Sequence, residues 1–388
     1  KMDYWDTIRN QISGLRDIST MSFAEIGSSG IAMVFWFYLA SILEPEEFGE
    51  LHYYIGIAGL GAYLALIATQ NTITVYVAKD IKLKSTLFVI SLIGGGITAI
   101  IIFLLLYRFD IPFLVLGMIL SYLAMGDLIG RKVFKEYSKY IILQKSLLLI
   151  LGLGLFHLIG IEGILFGIAL SYCVYIRIVY HELRHSSVNF PLLKTKLGFV
   201  LNNYGLNISA SANGHIDKLV IGPLLGFAIL GNYGLAIQVI GVFSIFSGTV
   251  FKYLLTHDAS NISQTKVKKL TIIISVGISL LAITISPLII PEFFPKYIDA
   301  IAAIQIISLG IVPGTISMFY ISKFLGIEKS RYLIKNSILF ATILILGMII
   351  LGSWFGIIGV ASAHVIAQVV SLGFLFFINR KLKSEEIG

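Results

Sequence analysis

The sequence predicts an all-α polytopic membrane protein. It has twelve transmembrane helices in two six-helix bundles, related by a parallel pseudo-twofold repeat around a central cavity. Three observations predict this. The 388 residues are 57% hydrophobic and 13% charged, where a soluble chain carries about 25% charge. Apolar runs of about 20 residues, each enough to cross a bilayer, recur along the whole length. The basic residues collect in every second gap between those runs.

The apolar spans fall at 20–43, 48–77, 85–107, 111–130, 141–159, 162–180, 197–222, 227–254, 268–290, 298–322, 333–352 and 356–378. Of 29 Lys and Arg residues, all but Arg108, Lys296 and Lys218 lie on the side that holds both termini. Basic loops face the cytoplasm, so both termini are expected inside a cell membrane. The net charge of +8 is thereby an orientation signal, with no nucleic-acid partner implied. The outer gaps are short and acidic, with Glu44, Glu46, Glu47, Glu50, Asp110, Glu162, Glu292 and Asp299.

Before the first span, Trp5, Ile8, Ile12 and Leu15 recur at helical spacing among charged and polar residues. That pattern predicts an interfacial amphipathic helix over 1–19, lying on membrane lipid. The remainder divides into an N-terminal bundle, 20–185, and a C-terminal bundle, 186–388. The halves share local patterns. "SKYII" at 138–142 precedes span five as "SRYLI" at 330–334 precedes span eleven. "GIEGI" at 160–164 opens span six as "GIIGV" at 356–360 opens span twelve. "ILEPEEFG" at 42–49 and "LLGFAILG" at 224–231 occupy equivalent outer turns. Repeated halves with a substrate site between them are a common transporter plan.

Span seven carries the chemistry. Asn203, Asn207, Ser211, His215 and Lys218 follow at steps of four, four, four and three, which hold one helical face. Asn202, Ser209, Asn213 and Asp217 flank it. Facing lipid, such a stripe costs several kcal/mol. Asn and Ser alone would be explained by hydrogen bonds between packed helices. The full stripe, with His215, Asp217 and Lys218, favours a water-filled cavity.

Other polar positions carry less. Glu25 in span one is either a coupling carboxylate or a side chain reaching back to water. Lys252 lies one turn inside span eight and reads as snorkelling. Arg131 and Lys335, at the inner ends of spans four and eleven, would make the inner mouth of a cavity positive. His364 stands alone and reads as a packed residue. "GGG" at 94–96 and "GLG" at 152–154 lack the following Lys and Ser or Thr of a phosphate loop. The single Cys173 offers no disulfide. No metal pattern or nucleophile motif is present, so no cofactor and no enzyme activity are expected.

Several stretches resemble the polysaccharide flippases of the multidrug/oligosaccharidyl-lipid/polysaccharide exporter superfamily. "LASILEPEEFGELHYYIGIAGL" at 39–60 is similar to their turn after the first span. "HIDKLVIGPLLGFAILGNYGLAIQV" at 215–239 is similar to their seventh-to-eighth span region, with Asp217, Lys218, Gly231, Tyr233 and Ala236 in place. "FFPKYIDA" at 293–300 resembles their turn before span ten. Val75 in "TVYVA" stands where that group often has Arg. The resemblance implies flipping of an undecaprenyl-linked oligosaccharide to the outer leaflet, with glycan polymerase or glycosyltransferases as partners. It implies binding roles for Asp217, Lys218, Lys252, Arg131 and Lys335, beside His215, Asn207 and Asn203 from the stripe. A cation-coupled drug or metabolite exporter, with Glu25 as the coupling site, and a non-transporting scaffold of a glycan-assembly complex are the alternatives.

Overall fold

In hydrocarbon a backbone must satisfy its polar groups within the segment, so long apolar runs form helices. The computed structural model describes residues 4–387 except 68, 186, 260–263 and 328. Side chains are undescribed at 4–19, 185, 206, 209–213, 244–246, 249, 252–253, 255–259, 330, 383 and 385–387. Among the described residues all regular structure is helical. The first eight helices are α1 (Tyr4–Ile42), α2 (Pro45–Ala65), α3 (Gln70–Ala78), α4 (Lys84–Leu106), α5 (Asp110–Gly130), α6 (Phe134–Ile159), α7 (Ile161–Ser171) and α8 (Ile176–His185). The remainder are α9 (Phe190–Leu225), α10 (Phe227–Ala259), α11 (Thr265–Phe293), α12 (Ala300–Leu309), α13 (Ile311–Gly326) and α14 (Ser330–Ile387). Among the described residues, seven helices are long and apolar enough to cross a membrane, or up to nine if two bent pairs each make one span. The chain is a multi-pass membrane protein.

From Tyr4 the segment expected to lie on the membrane surface is helical and runs unbroken into the first span as α1; residues 1–3 lie outside the described residues. Its side chains up to residue 19 lie outside the described residues. The chain divides into two compact units. Unit 1 is Lys1–Phe35 with Ile57–Ile208, and unit 2 is Trp36–Gly56 with Ser209–Gly388.

In unit 1, α5 packs against α3, α4 and α7, and Leu114, Ile119, Leu123, Ala124 and Leu128 are fully buried. Helices α6 and α7 form a tight hairpin turned at Gly160, whose φ of 75° and ψ of −152° suit glycine. A Cβ on Gly163 would lie 2.2 Å from the Leu155 carbonyl oxygen. In unit 2, the interruption of α14 at Gly356 has φ 56° and ψ −132°. A Cβ on Gly359 would lie 1.8 Å from the Leu351 oxygen. Thus "GIEGI" and "GIIGV" build the same backbone hairpin, and in each the second glycine lets two helices touch.

The other paired motif explains why residues 36–56 belong to unit 2. A Cβ on Gly49 would sit 1.9 Å from the Phe227 oxygen, and one on Gly231 would sit 1.8 Å from the Pro45 oxygen. The contact is reciprocal: the first turns of α2 and α10 meet through matching positions of "ILEPEEFG" and "LLGFAILG". Next to it, Tyr297 donates to the Leu43 oxygen at 3.2 Å. Burial, with Glu44 and Glu47 nearby, pushes the Tyr297 phenol above its ordinary range, which keeps it a donor. Lys296 pairs with Glu44 at 2.8 Å and reaches the Ile42 oxygen at 3.2 Å.

Replacing Gly231 with Ala should therefore destabilise the protein by about 1–3 kcal/mol, as overpacking against backbone does. Gly277→Ala, in α11 with nothing within 4 Å of its Cβ position, should be neutral or stabilising by up to about 1 kcal/mol. Thermal unfolding of the two purified variants checks the pair, and equal melting temperatures would refute the close approach.

Candidate functional site

The polar stripe of α9 divides between the units. Asn203 and Asn207 fall in unit 1, and His215, Asp217 and Lys218 fall in unit 2. Asn203 uses its amide on its own helix, donating to the Phe199 oxygen at 2.9 Å. Asn207 is half-buried. The side chains of Ser211 and Asn213, between the two groups, lie outside the described residues.

In unit 2, Asp217 is 6% exposed. Its Oδ1 accepts from the Lys218 amide at 2.8 Å and from the Lys218 ammonium at 3.2 Å. The ammonium also donates to the Gly214 oxygen at 2.8 Å. A Cβ on Gly56 of α2 would lie 3.1 Å from the Lys218 Cβ, so a glycine there lets the lysine stem pass. The hydroxyl of Tyr233 on α10 lies 3.3 Å from Nδ1 of His364 on α14, and Tyr233 lines one small cavity with Asp217 and Lys218. A polar line thus runs from the Asp217–Lys218 pair, past the small cavity that Tyr233 shares with it, to His364. Polar groups so placed are tolerated because each has a partner.

Two cavities open on this line. A small one of about 30 Å³ is lined by His52, Asp217, Lys218, Tyr233 and Gln238, which is room for about one or two waters. His52 is wedged between Trp36 and Phe48, with ring centroids 5.1 and 4.4 Å away. Its buried Nε2 has no hydrogen-bond partner among the described residues. Gly234 makes room for that ring, since a Cβ there would lie 2.6 Å from His52. The large cavity, about 550 Å³, lies among α10, α12, α13 and α14. His364, Gln368, Asn336, Ser371 and Phe340 contribute to its wall. Ser371 donates to Asn336 at 3.0 Å, a helix-to-helix bond worth about 0.6 kcal/mol in a membrane.

The remaining expected residues lie elsewhere. Lys335 is exposed and does not line the large cavity, although its neighbour Asn336 does. The side chain of Lys252 lies outside the described residues. Glu25, half-buried in unit 1, accepts a hydrogen bond from Tyr137 at 3.4 Å. Arg131 is engaged by a fully buried Asp127 at 2.5 Å. The other charges in that network are Lys84, 2.8 Å from Asp127, and Glu182, which Lys84 also pairs.

Sequence reasoning passed over His52 and Asp127, and it read His364 as an isolated packed residue. The i,i+4 spacing of Asp127 and Arg131 was a usable signal. The link between Tyr233 and His364 spans 131 residues and left none.

No protein-family model matches the chain, and no curated protein matches it. Solved structures do. The lipid II flippase MurJ, in an inward closed conformation, aligns with a TM-score of 0.73 at 14% identity, covering 93% of this chain and 87% of that one. An inward-facing multidrug resistance MATE family transporter of the MOP superfamily aligns at 0.66 with 17% identity, covering 92% and 94%. A Vibrio cholerae MATE transporter aligns at 0.60 with 14% identity, covering 95% and 97%. The chain has the fold shared by these structures.

Asp127→Asn removes the charge that holds Arg131 and half of Lys84. Arg131 reaches solvent and Lys84 keeps Glu182, so the loss should be about 1–3 kcal/mol, and the variant should melt below the parent. Lys135→Gln, an exposed neighbour, should stay within about 0.5 kcal/mol. Parallel thermal melts decide it, and an unshifted Asp127→Asn curve would contradict the network.

Proposed function

We propose that this protein is a transporter of the MOP superfamily. In our reading it moves a polyprenyl-pyrophosphate-linked oligosaccharide from the cytoplasmic to the outer leaflet by alternating access, for surface polysaccharide biosynthesis. The observation that carries the reading is the Asp217–Lys218 pair inside a membrane helix, which shares a small cavity with Tyr233, while His364, in contact with Tyr233, lines a cavity of about 550 Å³. The fold likeness to a lipid II flippase supports it.

The physical requirement matches these parts. A pyrophosphate and its sugars cannot enter hydrocarbon without polar partners. Lys218 supplies a cation to the pyrophosphate, and Asp217 holds that cation when the cargo is absent. His364, Gln368 and Asn336 offer hydrogen bonds to sugar hydroxyls, and Phe340 offers an apolar face. His215, Asn207 and Asn203 extend the polar path along α9, and Lys252 and Lys335 attract the anionic head at the inner end, where Arg131 is already held by Asp127.

Twelve spans in two bundles, 20–185 and 186–388, a parallel repeat, a surface helix over 1–19 and cytoplasmic termini belong to the same reading. The reciprocal Gly49 and Gly231 contacts and the matching hairpins at Gly160 and Gly356 support the repeat. Glycan polymerase or glycosyltransferases are the proposed partners.

A second reading, a cation-coupled multidrug or metabolite exporter, has its own observation. Glu25 is a half-buried carboxylate held by Tyr137 on a membrane helix, and MATE transporters share the fold.

Reconstituted vesicles loaded with a fluorescent polyprenyl-pyrophosphate saccharide separate the two. The flippase reading predicts that the saccharide becomes reachable by an external glycosidase. Lys218→Gln should slow this by about tenfold or more, the loss of one charge-assisted hydrogen bond. An unchanged rate in Lys218→Gln would refute the role of Lys218. Drug-induced proton release that vanishes in Glu25→Gln, without saccharide flipping, would establish the exporter instead.

A further inference from the structure

The basic end of unit 1 holds a second cavity, of about 550 Å³, that the transport reading leaves unused. Its walls are α8 and the first turns of α6. On α8, Arg177, Tyr180, His181 and Arg184 recur at steps of three, one and three, and all are exposed. Ile178, Val179 and Glu182, from the other side of the same helix, are buried. This spacing puts the two arginines two turns apart on one face. From α6, Glu136, Lys139 and Tyr140 line the opposing wall at i, i+3 and i+4. Tyr140 stacks on Tyr175, with centroids 6.0 Å apart and planes at 29°.

The charges do not balance. Arg131 and Glu182 also line this cavity, but Arg131 is matched by Asp127 and Glu182 by Lys84. Lys139, Arg177 and Arg184 have no ion pair among the described residues. Against these three cations stands the exposed Glu136. The cavity is therefore a cationic seat with two positive charges in excess.

The surroundings identify the class of anion. One turn beyond Lys139 on the same face of α6 come Ile142 and Leu143, 39% and 41% exposed. Ile176 and Tyr180 on α8 are 47% and 61% exposed. Cations thus give way within a turn to exposed apolar side chains, with a tyrosine at the boundary as in membrane–water interfaces. A soluble phosphate would use the cations alone. A phospholipid would use both, with its phosphate on the cations and its acyl chains along Ile142, Leu143 and Ile176. Basic pockets between membrane helices at the cytoplasmic surface suit anionic head groups.

We propose that the groove between α6 and α8 binds the phosphate head group of an anionic phospholipid of the inner leaflet, through Lys139, Arg177 and Arg184. The site rests on the cytoplasmic placing of the basic loops, and not on what cargo the protein carries.

The test is native mass spectrometry of the whole, detergent-solubilised protein titrated with phosphatidylglycerol, phosphatidylcholine or soluble glycerol 3-phosphate. Phosphatidylglycerol should give adducts that phosphatidylcholine does not displace. Arg177→Gln with Arg184→Gln should weaken that binding roughly thirtyfold, from about 1 kcal/mol for each basic residue. The control pair Lys266→Gln with Lys269→Gln, exposed at the start of α11, should bind as the parent does. Equal binding by the arginine double variant and the parent overturns the site. Glycerol 3-phosphate binding as tightly as phosphatidylglycerol overturns the lipid assignment in favour of a free phosphate ester. Saccharide flipping lost through Lys218→Gln but with phosphatidylglycerol binding intact separates this site from the transport site.

Discussion

A carboxylate and an ammonium side by side in an apolar helix must neutralise each other or reach water. Asp217 and Lys218 stand under that constraint about two turns before the end of α9. Much of unit 2 is arranged to meet it. The lysine head is shared between the Asp217 carboxylate and the Gly214 carbonyl, and its stem passes close to Gly56 of α2, where a Cβ would lie 3.1 Å away. Beside the pair, on a small shared cavity, Tyr233 meets His364. A pair so placed is costly to bury.

The same constraint has a second solution in unit 1. There Asp127 is fully buried, and two cations, Lys84 and Arg131, converge on it while Glu182 returns the balance. This cluster ties α4, α5 and α8 together at their basic ends. It neutralises itself, whereas the arginines on the outer face of α8 are left unanswered. The contrast between a closed network and an open one separates structural charge from charge available to a ligand.

Legibility in the sequence followed the range of the interactions. Helix ends were readable where one residue type makes the turn, as at Gly160 and Gly356, because positive φ is a local demand. Asp217 and Lys218 were readable because adjacent charges interrupt an apolar run. Arg131 was visible as a charge, while its partner Asp127, four residues upstream, is hidden among the apolar residues of α5. His364 read as isolated because Tyr233 lies on another helix, 131 residues away. Residues 36–56 joined unit 2 through backbone contacts that only two facing glycines permit, and no periodicity encodes such a meeting.

The central claim is that the hydrophilic flank of α9 reaches water within the membrane. Cysteine accessibility in native membranes tests it most directly, with Cys173 first replaced by Ala. The account predicts that Asn207→Cys and Lys218→Cys react with a small charged thiol reagent, while Ile93→Cys, on an exposed apolar face of α4, does not. Positions 207 and 218 as unreactive as position 93 would mean a dry or lipid-facing flank, and would contradict it.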